Sequence, residues 1–212
     1  DATQSVKNMV ATIKGIGQSA VALTDHGTMS GAIKLLNACK QHGVKPIIGN
    51  EMYILVDGKK YHLTVLAKNI AGYKNLCKLT NYSHVHGWHG NKLFGRPTIS
   101  RDMLAENSEG LIILSGCAAG ELPRYILAGD IEKAKVTAEW FKSVFGDDYY
   151  LEIQDHGFRG NGSQDINGDK IENNTKKSPL NDVTVNQTLH RFSIELSIKL
   201  IATNDAHFSC AD

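Results

Sequence analysis

Apolar residues along this chain alternate between two modes, short runs of three to five and longer stretches spaced at steps of three and four. Between Ser5 and Ile16, Val6, Met9, Val10 and Ile13 fall at helical spacing, and Gly15 and Gly17 then close the segment. Ala20 to Leu23 is a short apolar run that ends at Thr24-Asp25-His26-Gly27, after which Thr28 to His42 returns to helical periodicity before Gly43. The same sequence of run and polar tip recurs. Val44 to Ile48 ends at Gly49-Asn50-Glu51, Gly110 to Leu114 ends at Ser115-Gly116-Cys117, and Leu200 to Ala202 ends at Thr203-Asn204-Asp205-Ala206-His207. Helical spacing also covers Ile70 to Ser83, Ile131 to Val144 and Val185 to Ile198. Strands alternating with helices predict βα units and a largely parallel sheet, closed as a barrel or open and doubly wound.

Phe158 to Asp182 breaks the pattern. Gly, Asn, Asp, Lys and Ser dominate it and leave almost nothing to bury, so it reads as a surface loop or flexible insertion. Asp165, Asn167 and Asp169 imitate the start of a calcium loop, but Lys170 stands where the loop needs glycine and Lys176 where it needs glutamate. With 212 residues, 42% of them hydrophobic, a single domain spanning 1–212 is expected.

Charge and cysteine usage narrow the function classes. The 23 Lys and Arg against 22 Asp and Glu leave no broad positive field, so any DNA contact is local or supplied by another segment. Cys39, Cys77, Cys117 and Cys210 contain no C-x-x-C pair and suit a reducing cytoplasm better than a disulfide framework. No apolar run approaches the roughly 20 residues that cross a bilayer, and no leader opens the chain, so no membrane association is expected. Neither G-x-G-x-x-G nor a P-loop occurs, which removes support for nucleoside triphosphate binding.

The chemistry lies at the strand ends. Four apolar runs each finish in residues able to ligate a metal: His26, Glu51, Cys117, and Asp205 with His207. In parallel α/β architectures functional groups gather at the carboxyl ends of strands, so ligands distant in sequence converge there. A mixed imidazole and carboxylate set suits zinc, manganese or iron, and clustered ions of this kind serve phosphoester hydrolysis.

In order along the chain, Leu23-Thr-Asp-His-Gly27, Lys45-Pro-Ile-Ile-Gly-Asn-Glu51, Gly110-Leu-Ile-Ile-Leu-Ser-Gly-Cys117, Tyr150-Leu-Glu-Ile-Gln-Asp-His-Gly157 and Ala202-Thr-Asn-Asp-Ala-His207 resemble the motifs of the polymerase and histidinol phosphatase (PHP) domain. His62-Leu-Thr-Val-Leu-Ala-Lys-Asn69 and Gly146-Asp-Asp148 are similar to the bacterial DNA polymerase III alpha subunit in particular. The resemblance covers the chain apart from the 158–182 insertion. It implies a distorted (β/α)7 barrel holding up to three ions, zinc or manganese/iron. It also implies metal ligands at Asp1, His26, Glu51, His84 (His86 being the alternative), Cys117, Asp205 and His207, with Asp25 orienting its neighbours through hydrogen bonds. The family opens with a strand bearing His-x-His ahead of the position of Asp1, so the resemblance predicts a barrel lacking its first strand and fewer ions than the complete set.

By the same resemblance the partners are DNA, the remainder of the alpha chain and other replisome subunits, and the activity a 3′ to 5′ exonuclease. A non-catalytic scaffold and a free-standing phosphoesterase are the rivals. Other residues read more plainly. His42, His62, His89 and His190 are taken as surface or core histidines, Trp88 and Tyr82 as core aromatics, and Asp155 with His156 as structural, since adjacent strand residues point to opposite faces.

Overall fold

The computed structural model describes residues 5–91, 95–157 and 181–207. These fall into two compact units, Asp1–Ile113 with Ala206–Asp212, and Leu114–Asp205. The fold is mixed α/β and contains parallel strands.

The first unit opens with α1 (Val6–Gly15), whose N-terminus is capped by the Ser5 hydroxyl accepting from the Asn8 N–H. Strand β1 (Ala20–Leu23) follows, then α2 (Ala32–His42), closed by Gly43 at φ 64. Helix α2 begins four residues later than the periodicity suggested. Val10 of α1 and Leu35, Ala38 and Cys39 of α2 form a buried cluster with Val44, against which Met9, Ile13, Val21, Leu23 and Ile48 pack. The apolar stripes of the two helices therefore meet over β1 and the start of β2.

Strand β2 (Lys45–Val56) is much longer than the Val44–Ile48 run predicted from sequence. It turns through Asp57 and Gly58, both at positive φ, into the antiparallel β3 (Lys59–Ala67). An Asp-Gly pair with both residues in the left-handed region makes the tight turn that suits the twist of a hairpin. The sheet is mixed: β1 and β5 (Arg96–Ile99) pair parallel to β2, while β3 pairs antiparallel to it. Helix α3 (Ile70–Val85), the short β4 (Trp88–His89), α4 (Arg101–Glu106) and β6 (Leu111–Leu114) complete this unit, with strand order β4-β5-β2-β3-β6 and β1 on β2. On β2 and β3, Met52, Ile54, Leu63 and Val65 are almost fully buried on one face, which leaves the other face to Glu51, Tyr53, His62 and Thr64.

The second unit contains α5 (Glu121–Leu127), α6 (Ile131–Phe145), a single 3-10 turn (Gly146–Asp148), β7 (Tyr149–Ile153), α7 (Asp182–Leu196) and β8 (Lys199–Ala202), which pairs parallel to β7. Phe141 of α6 stacks on Tyr149 with centroids 5.1 Å apart, and Leu189 and Phe192 bury one stripe of α7. Most of the 158–182 insertion lies outside the described residues. Its last two residues do not belong to a loop: Asn181 caps α7 by accepting from Thr184 N–H, and Asp182 begins the helix.

Candidate metal centre

The register of β1 against β2 creates the site. Ala20 pairs with Lys45 and Leu23 with Ile48, and the same offset continues past the end of β1 to an isolated parallel bridge between His26 and Glu51. Gly27 N–H donates to the Glu51 carbonyl at 2.8 Å, and Glu51 N–H donates to the Asp25 carbonyl at 3.1 Å. Residues opposite one another in a ladder project to the same side, so the two side chains meet. Gly27 holds the turn beyond them at φ 65, with no room for a side chain, since a Cβ there would stand 2.9 Å from Pro97 Cγ.

The hairpin adds the third member. Glu51 lies opposite Thr64 and Tyr53 opposite His62, so Glu51 and His62 are diagonal neighbours on one face. His62 Nδ1 lies 3.1 Å from Glu51 Oε1, and His26 Nδ1 stands against Glu51 Oε2. One donor atom from each of His26, Glu51 and His62 lies within 4.8 Å of the others. Glu51 is only 5% exposed. Burial pushes its carboxyl upward, but the bond from His62 and the charges of His62 and His26 outweigh that and hold it below the ordinary value. Tyr53 walls the site, edge-on to His62 at 5.1 Å and nearly parallel to His26 at 6.4 Å, and the Arg96 guanidinium lies 5.9 Å above the Tyr53 ring.

His207 approaches, its ring centroid 6.0 Å from that of His26. His84, on α3, bonds through Nε2 to the Gly27 carbonyl at 2.8 Å, and His86 ends α3 with its ring 5.5 Å from Tyr82. Among the described residues neither belongs to a three-donor cluster. Asp25 meets Glu51 through its backbone carbonyl, while its carboxylate lies on the side of Gly31. Asp1 lies outside the described residues.

In the second unit, Cys117 Sγ and an Asp205 carboxylate oxygen lie within 4.8 Å of each other, and Asp205 sits in the left-handed region at φ 47. Beneath the strand ends of this unit is the buried carboxylate of Glu152. Oε2 accepts from Gly116 N–H at 3.0 Å, and Oε1 accepts from the Thr203 hydroxyl at 2.5 Å and from Gln154 Nε2 at 3.2 Å. A recess of about 20 Å³, enough for a single water, is lined by Cys117, Glu152, Gln154 and Asp182.

Sequence reasoning missed His62 and Glu152. For His62 the signal was available, since counting back from an Asp57-Gly58 hairpin turn pairs it with Tyr53, two residues beyond Glu51. Trp88, expected in the core, is half exposed. The structural reading of His156 agrees with its bonds: its N–H donates to Asp182 and its Nε2 faces the Asn204 carbonyl.

A donor set of two imidazoles and one carboxylate can hold a metal ion, and its chemistry suits a borderline transition metal. The model of the PHP domain matches residues 1–156. The chain belongs to the PHP family. Its relatives include the DNA polymerase III subunit alpha of Borreliella burgdorferi, 40% identical over 98% of this chain, and that of Treponema pallidum, 35% identical over 99%. The chain spans 17% of the length of each of these curated relatives. Two solved structures share the PHP chain's fold at low identity. A Bifidobacterium adolescentis protein assigned as a metal-dependent phosphoesterase has a TM-score of 0.54 at 11% identity, over 99% of this chain and 84% of its own. An amidohydrolase of Chromobacterium violaceum has a TM-score of 0.57 at 10% identity, over 98% and 84%. Both likenesses are compatible with a distorted (β/α) barrel. Among the described residues, no helix is long and apolar enough to cross a membrane.

Proposed function

We propose that this chain is a single metal-dependent phosphoesterase domain within a replicative DNA polymerase alpha subunit, cutting phosphodiesters from the 3′ end of DNA as a proofreading exonuclease. The observation that carries this reading is the buried Glu51 carboxylate of β2 flanked by two imidazoles, one of them just past the end of β1. Similarity to polymerase subunits over nearly the whole chain supports the polymerase setting, with DNA, the rest of the alpha chain and other replisome subunits as partners in the cytoplasm.

In this reading His26 and Glu51 hold a zinc, manganese or iron ion, with His207 beside them. When bound, the ion polarises a phosphoryl oxygen and lowers the pKa of a water. The protein's own work is positional. The β1–β2 register sets His26 beside Glu51, and Tyr53 packs against both histidines to restrict their rings. The Arg96 guanidinium over Tyr53 offers positive charge to an approaching phosphate. In the second unit Cys117 and Asp205 bring two donor atoms within 4.8 Å of each other.

Metal analysis of the purified chain beside digestion of 3′-labelled single-stranded DNA tests the proposal. Release of labelled nucleotide that requires added Mn²⁺ or Zn²⁺ and disappears in Glu51→Gln is expected. Bound metal without cleavage would replace this reading with a scaffold. Hydrolysis of p-nitrophenyl phosphate but not DNA would replace it with a small-ester phosphatase.

A further inference from the structure

We propose that the outer strands of the first unit, β5 and β4, form a track for single-stranded DNA, in which Arg96 and His89 hold backbone phosphates and Trp88 stacks on a base. Strand β4 is the edge of the sheet, and Trp88 on it is 50% exposed where a core aromatic was expected. An indole left half in water forgoes apolar burial that a stacked base supplies.

Strand register builds the track. Tyr53 of β2 pairs with Thr98 of β5, and Arg96 lies two residues before Thr98, so these three side chains share one face of the sheet. His89 of β4 pairs with Arg96 and belongs to the same face. That face also carries Glu51, two residues before Tyr53. Groups that bind phosphate therefore run outward from Glu51, strand by strand, to the edge. With neighbouring strands about 4.8 Å apart, β4 lies roughly 10 Å from β2. About three stacked nucleotides, at a rise of roughly 3.4 Å each, cover that distance.

Charge and shape select the ligand. Arg96 is exposed, its Nη1 donates to the Gly95 carbonyl at 3.0 Å, and its guanidinium rests over Tyr53. Among the described residues no carboxylate pairs with it. Its remaining N–H groups are available to a phosphate. A side chain at Gly95 would collide with the Trp88 indole, so glycine there leaves a bed of bare backbone for the ring, one residue from Arg96. Guanidinium and indole thus stand side by side. An acidic peptide would engage the charge and leave the indole idle, and a duplex keeps its base faces inside the stack. A single strand uses both groups, without preference for sequence. With 23 basic residues against 22 acidic, the chain has no general attraction for DNA, and a local contact of this kind is the one it can offer.

Delivery of the strand to Glu51 rests on the proposed function, whereas the track itself does not, and it is tested without metal. The full chain in EDTA is titrated with oligo(dT) of about twelve nucleotides, within the site sizes usual for single-strand binders. The chain has 2 tryptophans, and Trp140 lies in the second unit, so Trp140→Phe isolates the fluorescence of Trp88. The expected result is quenching that survives in Trp140→Phe and disappears in Trp88→Phe, with affinity about 5- to 150-fold weaker in Trp88→Ala. Arg96→Gln should reduce the slope of log affinity against log salt by about 0.7, and Arg96→Lys should keep it. Absent quenching in Trp140→Phe, an unchanged salt slope in Arg96→Gln, or equal affinity for a duplex or for polyglutamate overturns the proposal. Should Trp88→Ala fail to fold, the quenching in Trp140→Phe and the slope in Arg96→Gln still decide. A chain that binds oligo(dT) in this way but cuts no DNA once Mn²⁺ is restored would sustain the track and refute the exonuclease reading. Cutting without quenching would do the reverse.

Discussion

His26 faces Glu51 across a parallel ladder at the same separation of 25 residues that joins Ala20 to Lys45 at the ladder's start. The ligand pair is therefore a property of strand register, and a one-residue slip would send one of the two side chains to the opposite face. Only the carboxylate in this pair is acidic, so it dominates the attraction for a cation. Glu51→Gln is expected to lower metal affinity at least about a hundredfold, beyond the loss usual for a supporting residue. Calorimetric titration with Mn²⁺ measures it, and far-UV circular dichroism checks that the fold persists.

The same carboxylate makes stability depend on pH in the metal-free chain. Burial raises its pKa, the His62 bond and the two histidine charges lower it further, and the net direction is down. A depressed folded-state value means that the unfolded chain binds the proton more readily. The stabilisation is fully present above the ordinary carboxylate value of about 4.3 and is lost as pH falls through the lower folded value. Urea unfolding of wild type and Glu51→Gln from about pH 6 to pH 3 should show the two curves converging toward the acid end. A stability gap that widens on acidification would contradict this direction.

Much of the architecture was legible because it rests on local periodicity. The stripe of Val6, Met9, Val10 and Ile13 gives α1, and Gly43 ends α2 as its position predicted. His26 lies just past the end of β1, beside Glu51 of β2, and the His207 ring stands 6.0 Å from that of His26. What escaped was non-local. Residues 49–54 are buried on both faces, so β2 lacks the alternation that marks a half-exposed strand, and its continuation to Val56 stayed hidden. With β3 unrecognised, His62 had no neighbour from which to read a role. Glu152 escaped for a different reason: its partners Gly116 and Thr203 are 36 and 51 residues away and are themselves unremarkable in sequence.

His84 separates two roles that sequence could not. Its Nε2 donates to the Gly27 carbonyl at 2.8 Å, tying the end of α3 to the turn that follows His26. His84→Ala should therefore cost about 0.5–1.5 kcal/mol of stability, the net worth of one such bond. The metal content should stay as in wild type. Equilibrium unfolding and metal analysis on the same preparation decide the matter, since a lost ion would restore His84 to the ligand set.

Glu152 joins two loops that carry donor residues. Through Oε2 it receives the N–H of Gly116, next to Cys117, and through Oε1 the hydroxyl of Thr203, two residues before Asp205. Its own N–H donates to Ser115 Oγ at 2.8 Å, so the link to the Cys117 loop is made twice. At 5% exposure no bulk water is at hand to replace these bonds. Glu152→Ala leaves Gly116 N–H and the Thr203 hydroxyl without their acceptor, at about 1–3 kcal/mol for each group that stays buried and unsatisfied. The loosened loop should also expose the half-buried Cys117 thiol. Its labelling by a maleimide is expected to quicken in Glu152→Ala and to rise less in Glu152→Gln, whose amide oxygen can still accept one of the two bonds. Labelling unchanged in both variants, despite lowered stability, would show that the carboxylate supports the core of this unit without governing the loop.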